Sequence, residues 1–181
     1  PFAKCDTCVV TRRAIRDTRD HDMRQKLSQV HARHVSLMNK ERGVYWAHRD
    51  LARRQPSKHL SLCIDGADQS DHAFPHVQEK SHTSSEAYKA KVHVTGVIAH
   101  GRDTYVYTCP SHVKFGHNMT IQSIWDTIVD IQRRDGELSE NLYLQLDNTT
   151  RQNKGRYLAA FCELLVAAGI FKLIKVCFLP V

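Results

Sequence analysis

Nothing in this 181-residue chain approaches the ~20 consecutive apolar residues of a membrane span, and no apolar stretch follows the polar, basic N-terminus. No membrane partner is therefore expected. Cysteine is sparse and mostly solitary. Of Cys5, Cys8, Cys63, Cys109, Cys162 and Cys177, only the first two are paired by spacing; the others sit singly in apolar stretches, where a thiol packs as a small hydrophobe. That distribution argues against a disulfide framework and for a reducing compartment. Internal repeats and low-complexity segments are missing too, apart from one strand echo described below. At 41% hydrophobic residues the chain can support one well-buried domain and a small appendage, not two full domains. Because it starts at Pro1 and ends just after an apolar strand, it is expected to be a piece of a longer protein.

Acids are scarce at one end only. Residues 1–58 carry fourteen Lys and Arg against six Asp and Glu, a net +8, whereas the rest of the chain is close to neutral at −1. Such a lopsided segment suits a polyanion, most simply DNA, since each cation that meets a phosphate releases counterions. Arg12, Arg13, Arg16 and Arg19 are the densest group and the candidate nucleic-acid contacts. The alternative reading is a solvated helical face.

Residues 22–54 contain no Pro and one Gly, and Met23, Leu27, Val30, His34, Leu37 and Met38 recur at three- and four-residue steps. This predicts one or two helices with a break at Arg42-Gly43, ended by Gln55-Pro56-Ser57. The division expected is a basic helical segment over 1–57 and an α/β part over 58–181.

Two runs in that second part share one pattern. His59 to Asp65 and Asn141 to Asp147 both alternate apolar residues and then end in Asp. Leu60, Leu62 and Ile64 would face one way and Asp65 the other, and Leu142, Leu144 and Leu146 repeat that parity before Asp147. If the strands are parallel neighbours, both carboxylates emerge at one sheet edge on one face, as hard oxygen ligands for Mg²⁺ or Mn²⁺ in phosphoryl transfer. Each Asp could instead simply open a turn. A polar stretch from Gly66 to Ala90 follows the first strand. A hairpin is predicted from residues 91–99 and 104–109, then a helix from Ile121 to about Arg134 capped by Thr120, a helix from about Arg156 to Ala168, and a strand over 171–179. No Gly-rich phosphate loop follows either Asp-terminated strand, which weakens a small-molecule α/β enzyme as the reading.

This order, with Asp closing the first and fourth main strands, resembles the ribonuclease H-like fold of ribonuclease H, retroviral integrases and DDE transposases. The run Leu144 to Gly155, with Asp147-Asn148 and Asn153-Lys154, followed by an apolar helix and Ile174 to Val181, resembles a large uncharacterised eukaryotic family with a transposase-like core. The resemblance covers about residues 58–181. It implies an α/β mixed sheet flanked by helices, with Asp65 and Asp147 as metal-binding acids of phosphodiester cleavage and strand transfer. It also implies that Asp68, Asn148, Asn153 and Lys154 support the site, that DNA is the substrate and that the location is the nucleus. A homo-oligomer is left open. The superfamily's third acid, on a helix after the fifth strand, has no counterpart before Val181. Glu163 lies before that strand, while Asp126 or Asp130 could fill the place taken in ribonuclease H by an acid on the preceding helix. A domesticated, non-catalytic nucleic-acid-binding module is the alternative.

One further constellation stands apart. Cys5-x2-Cys8 followed by His31-x2-His34 supplies four ligands of the kinds that close a tetrahedral Zn²⁺ site, though the 22 intervening residues exceed the usual finger spacing. His21 or His48 could replace one ligand.

Overall fold

The computed structural model describes residues 5–67, 90–110, 112–113, 116–147 and 155–178, together with the backbone of 73–74. In chain order the elements are α1 (Asp6–Asp17), α2 (His21–Arg54), β1 (His59–Gly66), β2 (Ala73–Phe74), β3 (Ala90–Ala99), β4 (Thr104–Pro110), α3 (His117–Asp135), β5 (Asn141–Leu146), α4 (Arg156–Ala167) and β6 (Leu173–Phe178). They form two compact units, one holding α1 and α2 through Ala47, the other running from His48 to Phe178.

The second unit is a mixed sheet in which β4, β3, β1, β5 and β6 lie side by side, with the two-residue β2 paired to the start of β3. β1 runs antiparallel to β3 and parallel to β5, and β5 parallel to β6. Helices on its faces complete the α/β, ribonuclease H-like architecture expected from the order of the elements. The parity argument explains the core. Leu60, Leu62 and Ile64 of β1 and Leu142, Leu144 and Leu146 of β5 are each at most 3% exposed on one face. Ile124, Ile128 and Ile131 of α3, and Leu158, Cys162 and Leu165 of α4, recur every three or four residues and seal that face. Burying each such side chain contributes about 1.5–3 kcal/mol.

The opposite face is polar and partly covered by the last turns of α2. His48 stacks on Tyr143 with ring centroids 4.0 Å apart, and the Tyr143 hydroxyl is hydrogen-bonded to His59 Nδ1 at 3.2 Å. Ala52 is fully buried there, and Gly101, at φ +79°, turns the β3–β4 hairpin against Arg53, where a Cβ would lie 3.1 Å from the Arg53 Cα. Ser139 donates to the Pro56 carbonyl at 2.6 Å and Arg102 donates to it at 2.9 Å, fixing the chain as it enters β1.

Three local expectations are corrected. α2 continues through Gly43 without a break, because one exposed glycine costs a helix only about 1 kcal/mol and the rest of its 34 residues include no proline. The helix expected from Ile121 begins a turn earlier, at His117 with Gly116 as its N-cap, so Thr120 is a buried helical residue and not a cap. The last strand begins at Leu173, two residues later than expected, because Phe171 is a buried core plug ahead of it. α1 is an additional element that the apolar spacing of residues 22–54 did not cover.

Candidate functional site

β1 and β5 are neighbours in register, with Ile64 opposite Leu146, so Asp65 and Asp147 are the next residues along two parallel strands. Their apolar predecessors are locked in the core, which holds the two backbones at one sheet edge. Both acids share the polar face with His59, Ser61 and Cys63 on β1 and with Tyr143 and Gln145 on β5. The Asp65 carboxyl is pushed above the ordinary carboxylate range, first by partial burial and then by the negative charge of Asp147, while the Gly66 amide pulls it part of the way back. The two charges therefore act on one another. Asp68, Asn148, Asn153 and Lys154 lie outside the described residues.

The other acids considered from sequence are engaged elsewhere. Asp130 accepts a hydrogen bond from the Tyr105 hydroxyl at 3.1 Å and pairs with Arg134 at 2.9 Å, and Arg134 also reaches Asp103. Burial and Asp130 together raise the Tyr105 phenol to about 12. Asp126 accepts from Gln122 on its own helix, at 2.8 Å. Glu163 is exposed on α4.

In the first unit, Cys5 occupies the N-cap of α1, Cys8 lies in its first turn and His34 is on α2. The Cys5 sulfur is 3.2 Å from His34 Nε2, and one ligand atom from each of Cys5, Cys8 and His34 lies within 4.8 Å of the other two. The Cys5 thiol is lowered to about 7, chiefly by a hydrogen bond from the Cys8 amide, and His34 adds to the effect; burial and the neighbouring Cys5 raise Cys8. His31 is not in this group. It lines a cleft with Arg12 and Val35, and its Nε2 is buried without a hydrogen-bond partner. Neither proposed substitute belongs to the cluster: His21 is exposed beside Asp22, and His48 is stacked on Tyr143.

Arg12, Arg13 and Arg16 are exposed on α1, and Arg19 is exposed in the connection to α2. Arg13 and Arg16 both reach Asp17, at 3.6 and 3.2 Å. Sequence reasoning missed the His48–Tyr143–His59 stack on the acids' face. The signal was available, because His59 and Tyr143 have the strand parity of Asp65 and Asp147.

Among solved structures, the chain is similar to the Mos1 transposase paired-end complex with left transposon end, at 10% identity and a TM-score of 0.41. The match covers 98% of this chain but 60% of that one, so the chain spans less than two thirds of the transposase's length. No curated protein sequence matches it. Residues 82–181, more than half of the chain and including β5 and Asp147, match the model of a domain of unknown function, DUF7869, and the chain belongs to that family.

Proposed function

We propose that the chain is a transposase-type, nucleic-acid-acting domain in which Asp65 and Asp147 hold Mg²⁺ or Mn²⁺ and the basic first unit holds DNA. The observation that carries this reading is that Asp65 and Asp147 each directly follow the last paired residues of adjacent parallel strands, with Asp65 raised first by burial and then by the charge of Asp147. A carboxylate whose ionisation is disfavoured by burial and a neighbouring like charge suits a divalent cation, which removes the repulsion. A bound Mg²⁺ would supply charge neutralisation at a phosphate and activation of an attacking water or 3′-hydroxyl. The chain's own contribution is placement: the leucines behind each Asp hold both carboxylates on one face, and exposed Arg12, Arg13, Arg16 and Arg19 attract the phosphate backbone.

The test uses Mn²⁺ and a labelled random-sequence duplex. Mn²⁺ should broaden the NMR signals around residues 65 and 147, and Asp147→Asn should weaken that effect at least tenfold while changing DNA affinity less than twofold. Broadening centred elsewhere, or unaffected by Asp147→Asn, would remove the acidic site from the reading.

The engagement of Asp130 by Tyr105 and Arg134 favours a second reading, a binding module without catalysis. It would give DNA binding with no Mn²⁺ effect at either Asp.

A further inference from the structure

The first unit has almost no interior. Among its described residues Thr11 is the buried one, and Val9, Val10, Met23, Val30 and Leu37 are all more than 40% exposed. None of its described residues joins the hydrophobic core. Its apolar packing is limited to half-buried residues such as Ile15, Leu27, Val35 and Met38, and units of this size commonly add a metal or a crosslink.

Among the described residues, the place where α1 and α2 bring convergent chemistry together is the group of Cys5, Cys8 and His34. We propose that these three residues bind one Zn²⁺ in a tetrahedral site that fastens α1 to α2. Thiolates and an imidazole are the ligands that borderline-soft Zn²⁺ prefers. At bond lengths of about 2.3 Å to sulfur and 2.0–2.1 Å to nitrogen, tetrahedral ligand atoms stand about 3.5–3.8 Å apart. The three atoms already lie within 4.8 Å of one another and the Cys5–His34 pair is at 3.2 Å, so side-chain rotation of about an ångström closes the shell.

His31 is not assigned to the shell. Cys8 lies beside His34, and the cleft that His31 lines brings it beside Arg12, one turn further along α1. Moving one turn forward on α1 thus corresponds to moving one turn back on α2. A three-residue step is about 4.5 Å along a helix axis, which carries His31 away from the point where the sulfurs meet. This site is independent of the carboxylate pair and of the DNA reading.

The experiment strips the whole chain of metal with chelator and returns Zn²⁺ or Co²⁺. The expected result is one equivalent per chain, a Co²⁺ spectrum with tetrahedral visible bands and thiolate charge transfer, and helical circular dichroism that falls on chelation and recovers on metal addition. Cys8→Ser and His34→Ala should each weaken Co²⁺ binding at least tenfold, and His31→Ala should keep both stoichiometry and spectrum. Alkylation with iodoacetamide provides a readout that needs no variant: Zn²⁺ should slow modification of Cys5 and Cys8 at least tenfold and leave Cys63 and Cys109 unchanged. Sub-stoichiometric metal, unprotected Cys5 and Cys8, or a His31→Ala loss equal to that of His34→Ala would each overturn the three-ligand site.

Discussion

Asp65 and Asp147 each follow the last register pair, Ile64 and Leu146, of two parallel strands, and the charge of Asp147 acts on the Asp65 carboxyl. Removing one should therefore be felt by the other. Asp147→Asn takes away a like charge, so the Asp65 carboxyl should titrate lower than in the parent while staying above its ordinary 3.8, since burial, the larger cause, remains. A carbon-detected NMR titration of Asp65 checks the direction. For the parent, a raised folded-state value means that Asp65 favours folding below its unfolded value and loses that contribution as pH rises through the folded one. His48 works the other way. Burial against Tyr143 and the charges of Lys175 and His59 lower it from 6.5, so its contribution is present above pH 6.5 and is lost as pH falls through that value and below. Urea midpoints of the parent should drop between pH 7.5 and 5.0. His48→Phe, which keeps a stacked ring and cannot titrate, should drop less, and His100, lowered in the same sense, should retain its own share.

At the scale of elements, Gly43 and Gly136 give opposite expectations for the same substitution. Gly43 sits inside α2 with open space where a Cβ would be, so Gly43→Ala should stabilise the chain by about 0.5–1 kcal/mol. Gly136 ends α3 at φ +80°, a conformation L side chains rarely adopt, and Gly136→Ala should destabilise by about 1 kcal/mol or more. Denaturant unfolding measures both. The two glycines also show what could be read from the sequence. Gly136 follows the basic end of an apolar-periodic run, and its role as a stop was legible. Gly43 looked like a break because local propensity cannot register the length of the helix on either side. The strands were legible because alternation before Asp65 and Asp147 fixes the buried face, and the matched parity pointed to their shared edge. The Thr120 position was misread because burial, which only the fold decides, competes with capping. The Cys and His side chains of the first unit could be read from the sequence, but spacing alone could not show that His31 stands outside the group formed by Cys5, Cys8 and His34.

For the molecule as a whole, charge is the property with the longest reach. The net +8 of residues 1–58 sets the expected salt dependence of the proposed DNA binding. Replacing Arg12, Arg13, Arg16 and Arg19 by Gln should weaken binding to any duplex sequence. It should also flatten the slope of log affinity against log salt by about 0.9 for each phosphate that is no longer neutralised. Fluorescence anisotropy over a salt series reads both quantities. A slope unchanged by all four replacements would place the DNA-binding cations elsewhere.

The pairing of β1 with β5 has a consequence in time. His59 and Asn141 meet across about eighty intervening positions, whereas β3 and β4 are joined through a short turn. The hairpin can close quickly on local pairing; the central pair has to wait for a long loop to be restrained, and topologies dominated by such distant partners fold slowly. Asp65 and Asp147 come together only in that late event. During synthesis β1 emerges with its carboxylate well before β5 exists, so the acidic pair is assembled only after the intervening hairpin and α3 have also left the ribosome.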